Sequence, residues 1–155
     1  MLRRWAVTAV VCGAVAGMLG AAGPVERPRA GADSVVVIQE DPDPVLPGEV
    51  TTVHGIVANE TQRDAPELVV RISLPAEAVP EGRFYPKSCR KSDDDRTVTC
   101  TFPAGLPPER TATALIPVRV SRDVVGSAIS GTVSVSSSTD PGVDDSQPFT
   151  IQVTG

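Results

Sequence analysis

From residue 33 to the C-terminus the chain sustains no 3.6-residue apolar repeat. Instead, aliphatic residues alternate with polar ones in short runs, each cut by proline, glycine or aspartate. Alternation of this kind builds half-buried β-strands and leaves no segment long enough for a helix. Leu68, Val70, Ile72 and Leu74 alternate with Val69, Arg71 and Ser73, so one face is apolar and the other largely polar. Val98, Cys100 and Phe102 alternate with Thr97, Thr99 and Thr101, which turns Cys100 inward. Ile129, Val133 and Val135 share a face broken by Gly131, and Phe149, Ile151 and Val153 form the last such face. Further strands are expected at residues 34–39, 50–58, about 83–89 and 111–120, bringing the number to eight. Pro47-Gly48 predicts a type II turn between the first two. Pro117 cannot donate to a ladder, which predicts an edge strand or a bulge there. The expectation is one all-β domain, residues 33–155, folded as a two-sheet sandwich of about seven to eight strands with immunoglobulin-like architecture. With aromatics at 3%, its core must be aliphatic, and platforms for stacking bases, sugars or proline-rich peptides are not expected.

Residues 1–32 read as an export signal: Arg3 and Arg4 supply the basic start, and residues 5–22 an uncharged Ala, Val and Gly-rich run. Small residues suit cleavage after Ala22 or, at Ala30-Gly31-Ala32, after Ala32. The rival reading is an uncleaved membrane anchor, since 18 apolar residues just reach across a bilayer. Membrane contact is expected only in that case. Cys12 follows Val10 and Val11, where a lipoprotein signal wants small residues, so it is expected to leave with the signal.

Cleavage leaves Cys89 and Cys100, an even pair in an oxidising compartment, which predicts one disulfide across a hairpin. Two cysteines and the lone His54 are too few ligands for a structural zinc site, and no cofactor is expected. Residues 33–155 carry 10 basic and 18 acidic groups, a net of −8. Such a chain repels phosphate backbones, so nucleic acid is not an expected partner. Arginine outnumbers lysine 12 to 2 amid frequent Ala, Val, Gly and Pro, the coding bias of a GC-rich bacterial genome.

No constellation for catalysis emerges. His54 lies mid-strand with Thr52 and Ile56, opposite Val53, Gly55 and Val57 on the expected core side, and no G-x-S-x-G accompanies it. The expectation is a protein that is not an enzyme and has no catalytic residues. Asp93, Asp94 and Asp95 crown the hairpin between the cysteines, flanked by Arg90, Lys91 and Arg96, as a solvated tip or a candidate binding loop. Asp140, Asp144 and Asp145 form a second acidic loop whose oxygens suit calcium, although their spacing matches no EF-hand.

The order of short motifs from about residue 34 to 153 resembles the bacterial conserved-repeat family known as domain of unknown function eleven. The resemblance rests on Asp43-Pro44-Val45 and Pro47-Gly48 before a Thr/Val strand ending at Asn59, and on Leu74-Pro75 closing a strand. Ser88-Cys89 with Thr97-Val98-Thr99-Cys100, then Gly126, Val133-Ser134-Val135 and Thr139-Asp140-Pro141, complete it. Glu60-Thr61, Pro107-Pro108 and Asp144-Asp145 depart from the family pattern in the loops. The resemblance implies an immunoglobulin-like module, here in single copy, with a structural, adhesive or protein-binding role at or outside the bacterial envelope. It carries over no catalytic residue. The expected partner is an unidentified protein or envelope component. The alternative is a secreted inhibitor or small-ligand carrier that presents the disulfide-fixed loop.

Overall fold

A computed structural model describes residues 34–155, so the expected signal at residues 1–32 lies outside the described part. Nine strands form: β1 (Val35–Ile38), β2 (Val50–Asn59), β3 (Leu68–Ser73), β4 (Ala78–Pro80), β5 (Arg90–Lys91), β6 (Thr97–Phe102), β7 (Thr111–Val120), β8 (Ser127–Ser136) and β9 (Asp144–Val153). They make two antiparallel sheets, four-stranded β1-β2-β7-β4 and five-stranded β5-β6-β3-β8-β9. The protein is an all-β immunoglobulin-like sandwich.

The alternation read from the sequence sets which faces meet. Leu68, Val70 and Ile72 of β3, Val98 and Cys100 of β6, and Phe149, Ile151 and Val153 of β9 are buried against Val53, Val57, Ile116 and Val118 of the other sheet. Phe149 is the only aromatic among the fully buried side chains of the described residues, and Gly131 makes room for it. A Cβ on Gly131 would sit 2.3 Å from Phe149 Cζ and 2.5 Å from the Ser73 carbonyl oxygen. At the expected turn, Glu49 N–H donates to the Leu46 carbonyl at 3.1 Å, and Gly48 takes φ +81°, as the third position of a type II turn requires.

The chain between β1 and β2 crosses from one sheet to the other and covers the β9 edge. Val45 bridges Val153 in parallel; its N–H donates to the Gln152 carbonyl at 3.0 Å and its carbonyl accepts from Thr154 at 2.9 Å. Thr150 N–H donates to Asp41 Oδ1 at 2.7 Å, and Val37 N–H on the outer edge of β1 donates to Asp145 Oδ2 at 2.7 Å. Edge groups that would recruit a foreign strand are thus occupied on this side.

Three expectations are corrected. Pro117 lies in an interior strand, β7, between β2 and β4. Its carbonyl accepts from Glu81 N–H at 2.9 Å just past the end of β4, so by strand alternation its donorless nitrogen meets that same margin, where the ladder stops. No strand forms over residues 83–89; Tyr85 makes a single bridge to Leu115, and Pro86 then accepts from Cys89 N–H in a turn. The neighbouring β4 takes the sheet position instead. Lastly, Asp144 and Asp145 are not in a loop: β9 begins at Asp144, opposite Ser136 of β8.

Candidate functional site

The hairpin that joins β5 to β6 closes at its base through Cys89 and Cys100, which are bonded at 2.06 Å and 4% and 0% exposed. The predicted disulfide therefore anchors the hairpin directly to the core. At the tip, Ser92 organises the turn: its N–H donates to the Thr97 carbonyl at 2.8 Å, its Oγ accepts from Thr97 N–H at 3.0 Å, and its carbonyl accepts from Asp95 N–H at 3.1 Å. Asp95 adopts φ 55°, the left-handed conformation that aspartate tolerates better than most residues.

The three tip carboxylates have different surroundings. Asp94 accepts from the Ser92 hydroxyl at 2.5 Å and from Arg96 N–H at 3.1 Å. These hydrogen bonds, the Ser92 one foremost, hold its carboxyl below the ordinary carboxylate range. Asp95 pairs with Lys91 Nζ at 2.5 Å. Asp93 is exposed and takes part in no hydrogen bond among the described residues. Arg96 braces the tip against the sandwich, its carbonyl accepting from Leu74 N–H at 2.8 Å and its Nη1 donating to the Pro75 carbonyl at 3.2 Å.

Beside this hairpin lies a surface that sequence reading passed over as merely polar, the outer face of the five-stranded sheet. In register, one row runs Arg90, Thr99, Arg71, Ser134, Ser146 across five strands. The rows on either side bring Thr101, Ser136 and Asp144 next to Val69, and Thr97, Thr132 and Pro148 next to Ser73. The result is a hydroxyl-lined sheet face with Arg71 at its centre and a single carboxylate, Asp144, at one corner. Arg71 is exposed, and its guanidinium has no hydrogen-bond or ion-pair partner among the described residues. The signal was available: Thr97, Thr99 and Thr101 recur at the strand period, as do Ser130, Thr132, Ser134 and Ser136.

The second acidic set does not converge. Asp144 and Asp145 are adjacent in a strand and so point to opposite faces, with Asp145 engaged by Val37 N–H; Asp140 accepts from Gly142 N–H at 2.9 Å in its own turn. Among the described residues no three His, Cys, Asp or Glu side chains are grouped to hold a metal. His54 stands on the outer face of the four-stranded sheet as expected, its Nδ1 3.1 Å from Glu40 Oε1, and no serine hydroxyl among the described residues hydrogen-bonds to it. Arg119 on that face donates to both carboxylate oxygens of Glu81; this pairing lowers the Glu81 pKa and raises that of Arg119.

No family model matches the chain, and no curated protein does. Solved structures do resemble it. The third cohesin of ScaC from Acetivibrio cellulolyticus, solved in complex with the ScaB dockerin, aligns at 18% identity and a TM-score of 0.58, over 78% of this chain and 99% of that one. A collagen-binding domain from a Staphylococcus aureus adhesin aligns at 7% identity and a TM-score of 0.47, over 72% and 97%. At 18% identity the likeness to the cohesin is one of fold.

Proposed function

We propose that this chain is an exported, non-enzymatic module that binds another protein at or outside the bacterial cell envelope, using the hydroxyl-lined face of the five-stranded sheet. The observation that carries the reading is that face itself: serine and threonine rows held in register around one unpaired arginine, on a protein otherwise rich in carboxylates. β-Branched threonines on a paired strand have little rotamer freedom left to lose, so their hydroxyls are pre-organised for hydrogen bonding across an interface. Arg71 offers a planar donor fork to a partner carboxylate. The core-anchored disulfide supports export, because such bonds persist in oxidising compartments. The order of family-like motifs in the sequence supports it too, and the cohesin resembled in fold was solved bound to a protein.

Fractionation of native cells with intact-mass analysis tests the location. A soluble species beginning near residue 23 or 33, lighter by the two hydrogens of one disulfide than its reduced form, is the expected result; a cytoplasmic full-length chain with free thiols would overturn export. Capture of the cognate partner tests the surface. Arg71→Glu and Thr99→Glu are expected to weaken capture at least about tenfold, as a charge facing a buried contact does. Asp93→Ser/Asp94→Ser/Asp95→Ser is expected to leave it nearly unchanged. The reverse pattern would move the site to the hairpin tip.

A further inference from the structure

The opposite side of the sandwich has another chemistry. Across the outward face of the four-stranded sheet, between the polar residues Thr52, His54, Thr113 and Arg119, runs an apolar band: Ile38 and Ile56 lie side by side in register, then Leu115 beside Tyr85, then Pro117 and Val79, diagonally from β1 across β2 and β7 to β4. Ile38, Val79 and Tyr85 are 40%, 43% and 61% exposed, and no element of the described chain covers them.

We infer that this face closes against the same face of a second copy, forming a two-fold dimer. Charge is the first reason. Residues 34–155 carry 10 basic against 17 acidic groups, so most surfaces of one molecule repel another. On this face Arg119 is neutralised by Glu81 within one subunit, and Glu40 stands at the margin with Oε1 3.1 Å from His54 Nδ1. The band itself (Ile38, Ile56, Leu115, Tyr85, Pro117 and Val79) carries no charge, so band meets band without setting one charged side chain directly against another. Geometry is the second. A two-fold axis lying along the diagonal places band on band, as an isologous interface demands. Size is the third. β2 and β7 pair from Val50↔Arg119 to Ala58↔Thr111. At about 3.4 Å per residue and about 4.8 Å per strand, the face measures roughly 30 by 15–20 Å. Two copies would bury roughly 1,000 Å², the lower limit for a specific interface, which makes the dimer a concentration-dependent one.

Sedimentation velocity on the purified, oxidised protein from low to high micromolar concentration tests this. The expected result is a monomer that converts to a dimer as concentration rises. Ile38→Lys and Tyr85→Lys are each expected to raise the dissociation constant at least about tenfold, while Arg71→Glu on the other face leaves it unchanged. Intact disulfide mass and an unaltered far-UV circular dichroism spectrum establish that the variants are folded; Tyr85→Ser, a milder change at an exposed site, replaces any that is not. A monomer at all concentrations would overturn the inference, as would a dimer indifferent to both Ile38→Lys and Tyr85→Lys or one weakened by Arg71→Glu. Flotation of a persistent monomer with phosphatidylcholine vesicles would overturn it in favour of a lipid occupant.

Discussion

Asn59 is fully buried at the end of β2, and every hydrogen-bonding position of its amide is used. Nδ2 donates to the carbonyls of Arg63 and Leu106, each at 2.8 Å, and Oδ1 accepts from Thr61 N–H at 3.0 Å and Thr61 Oγ1 at 2.7 Å. Asn59→Ala is expected to cost roughly 1–3 kcal/mol in chemical denaturation. Asn59→Asp should cost more, since it sets a carboxylate oxygen against two carbonyls; equal losses would show that the donors matter little. Gly131→Ala tests packing in the same way: the added carbon collides with Phe149 and the Ser73 carbonyl, for an expected loss of roughly 1–3 kcal/mol. Asp94 supplies the pH test. Its folded pKa lies below the unfolded value, so its contribution is present above the ordinary carboxylate range and is lost as pH falls through the folded pKa. The difference in Tm between the protein and Asp94→Asn is therefore expected at neutral pH and should vanish on acidification. Sequence reading placed Asn59 at a strand end and Gly131 on a core face, both correctly. It had no access to their partners, because Leu106 and Phe149 reach them only through the fold.

At the level of elements, the strands with strict alternation were legible and those without it were not. β3 and β6 carry their inward residues at every second position, and the expected faces are the observed ones. β9 begins four residues before Pro148 in a polar run that reads as a turn; it is strand because β8 lies opposite and supplies the ladder from Ser136 onward. Likewise residues 83–89 hold Phe84 and Tyr85, good strand formers, yet the adjacent Ala78–Pro80 pairs with β7. Local propensity decided neither case; competition for a partner did. The outward faces were half legible, for β2 and β7 carry Ile56 and Leu115 outward, where alternation expects polar residues. The disulfide hairpin yields its own prediction. Cys89→Ala/Cys100→Ala removes a link with a sequence separation of 11, which in the chain-entropy picture lowers stability by roughly 2–3 kcal/mol. Denaturant midpoints of the double variant and of the oxidised protein measure it. A loss near zero would mean that β5 and β6 are held by pairing and by the Arg96 contacts alone.

For the whole molecule the decisive property is that one thin sandwich separates two unlike faces. The hydroxyl-lined face of the five-stranded sheet and the aliphatic band of the four-stranded sheet stand back to back, with stacked sheets about 10 Å apart between them. If copies join through the aliphatic bands, the two hydroxyl-lined faces of the dimer point in opposite directions. They cannot both engage one flat array of partners, so dimerisation adds no avidity on a single surface. It bridges two surfaces instead. Beads coated with the partner should therefore clump when the protein is present above its dimer dissociation constant and stay dispersed below it. Ile38→Lys should bind the beads as tightly as the unaltered protein yet fail to clump them, because its own partner face is untouched. Arg71→Glu should fail at both. Clumping by the Ile38→Lys variant would separate the two faces from the two roles assigned to them. Loss of both behaviours in that variant would place binding and self-association on the same surface.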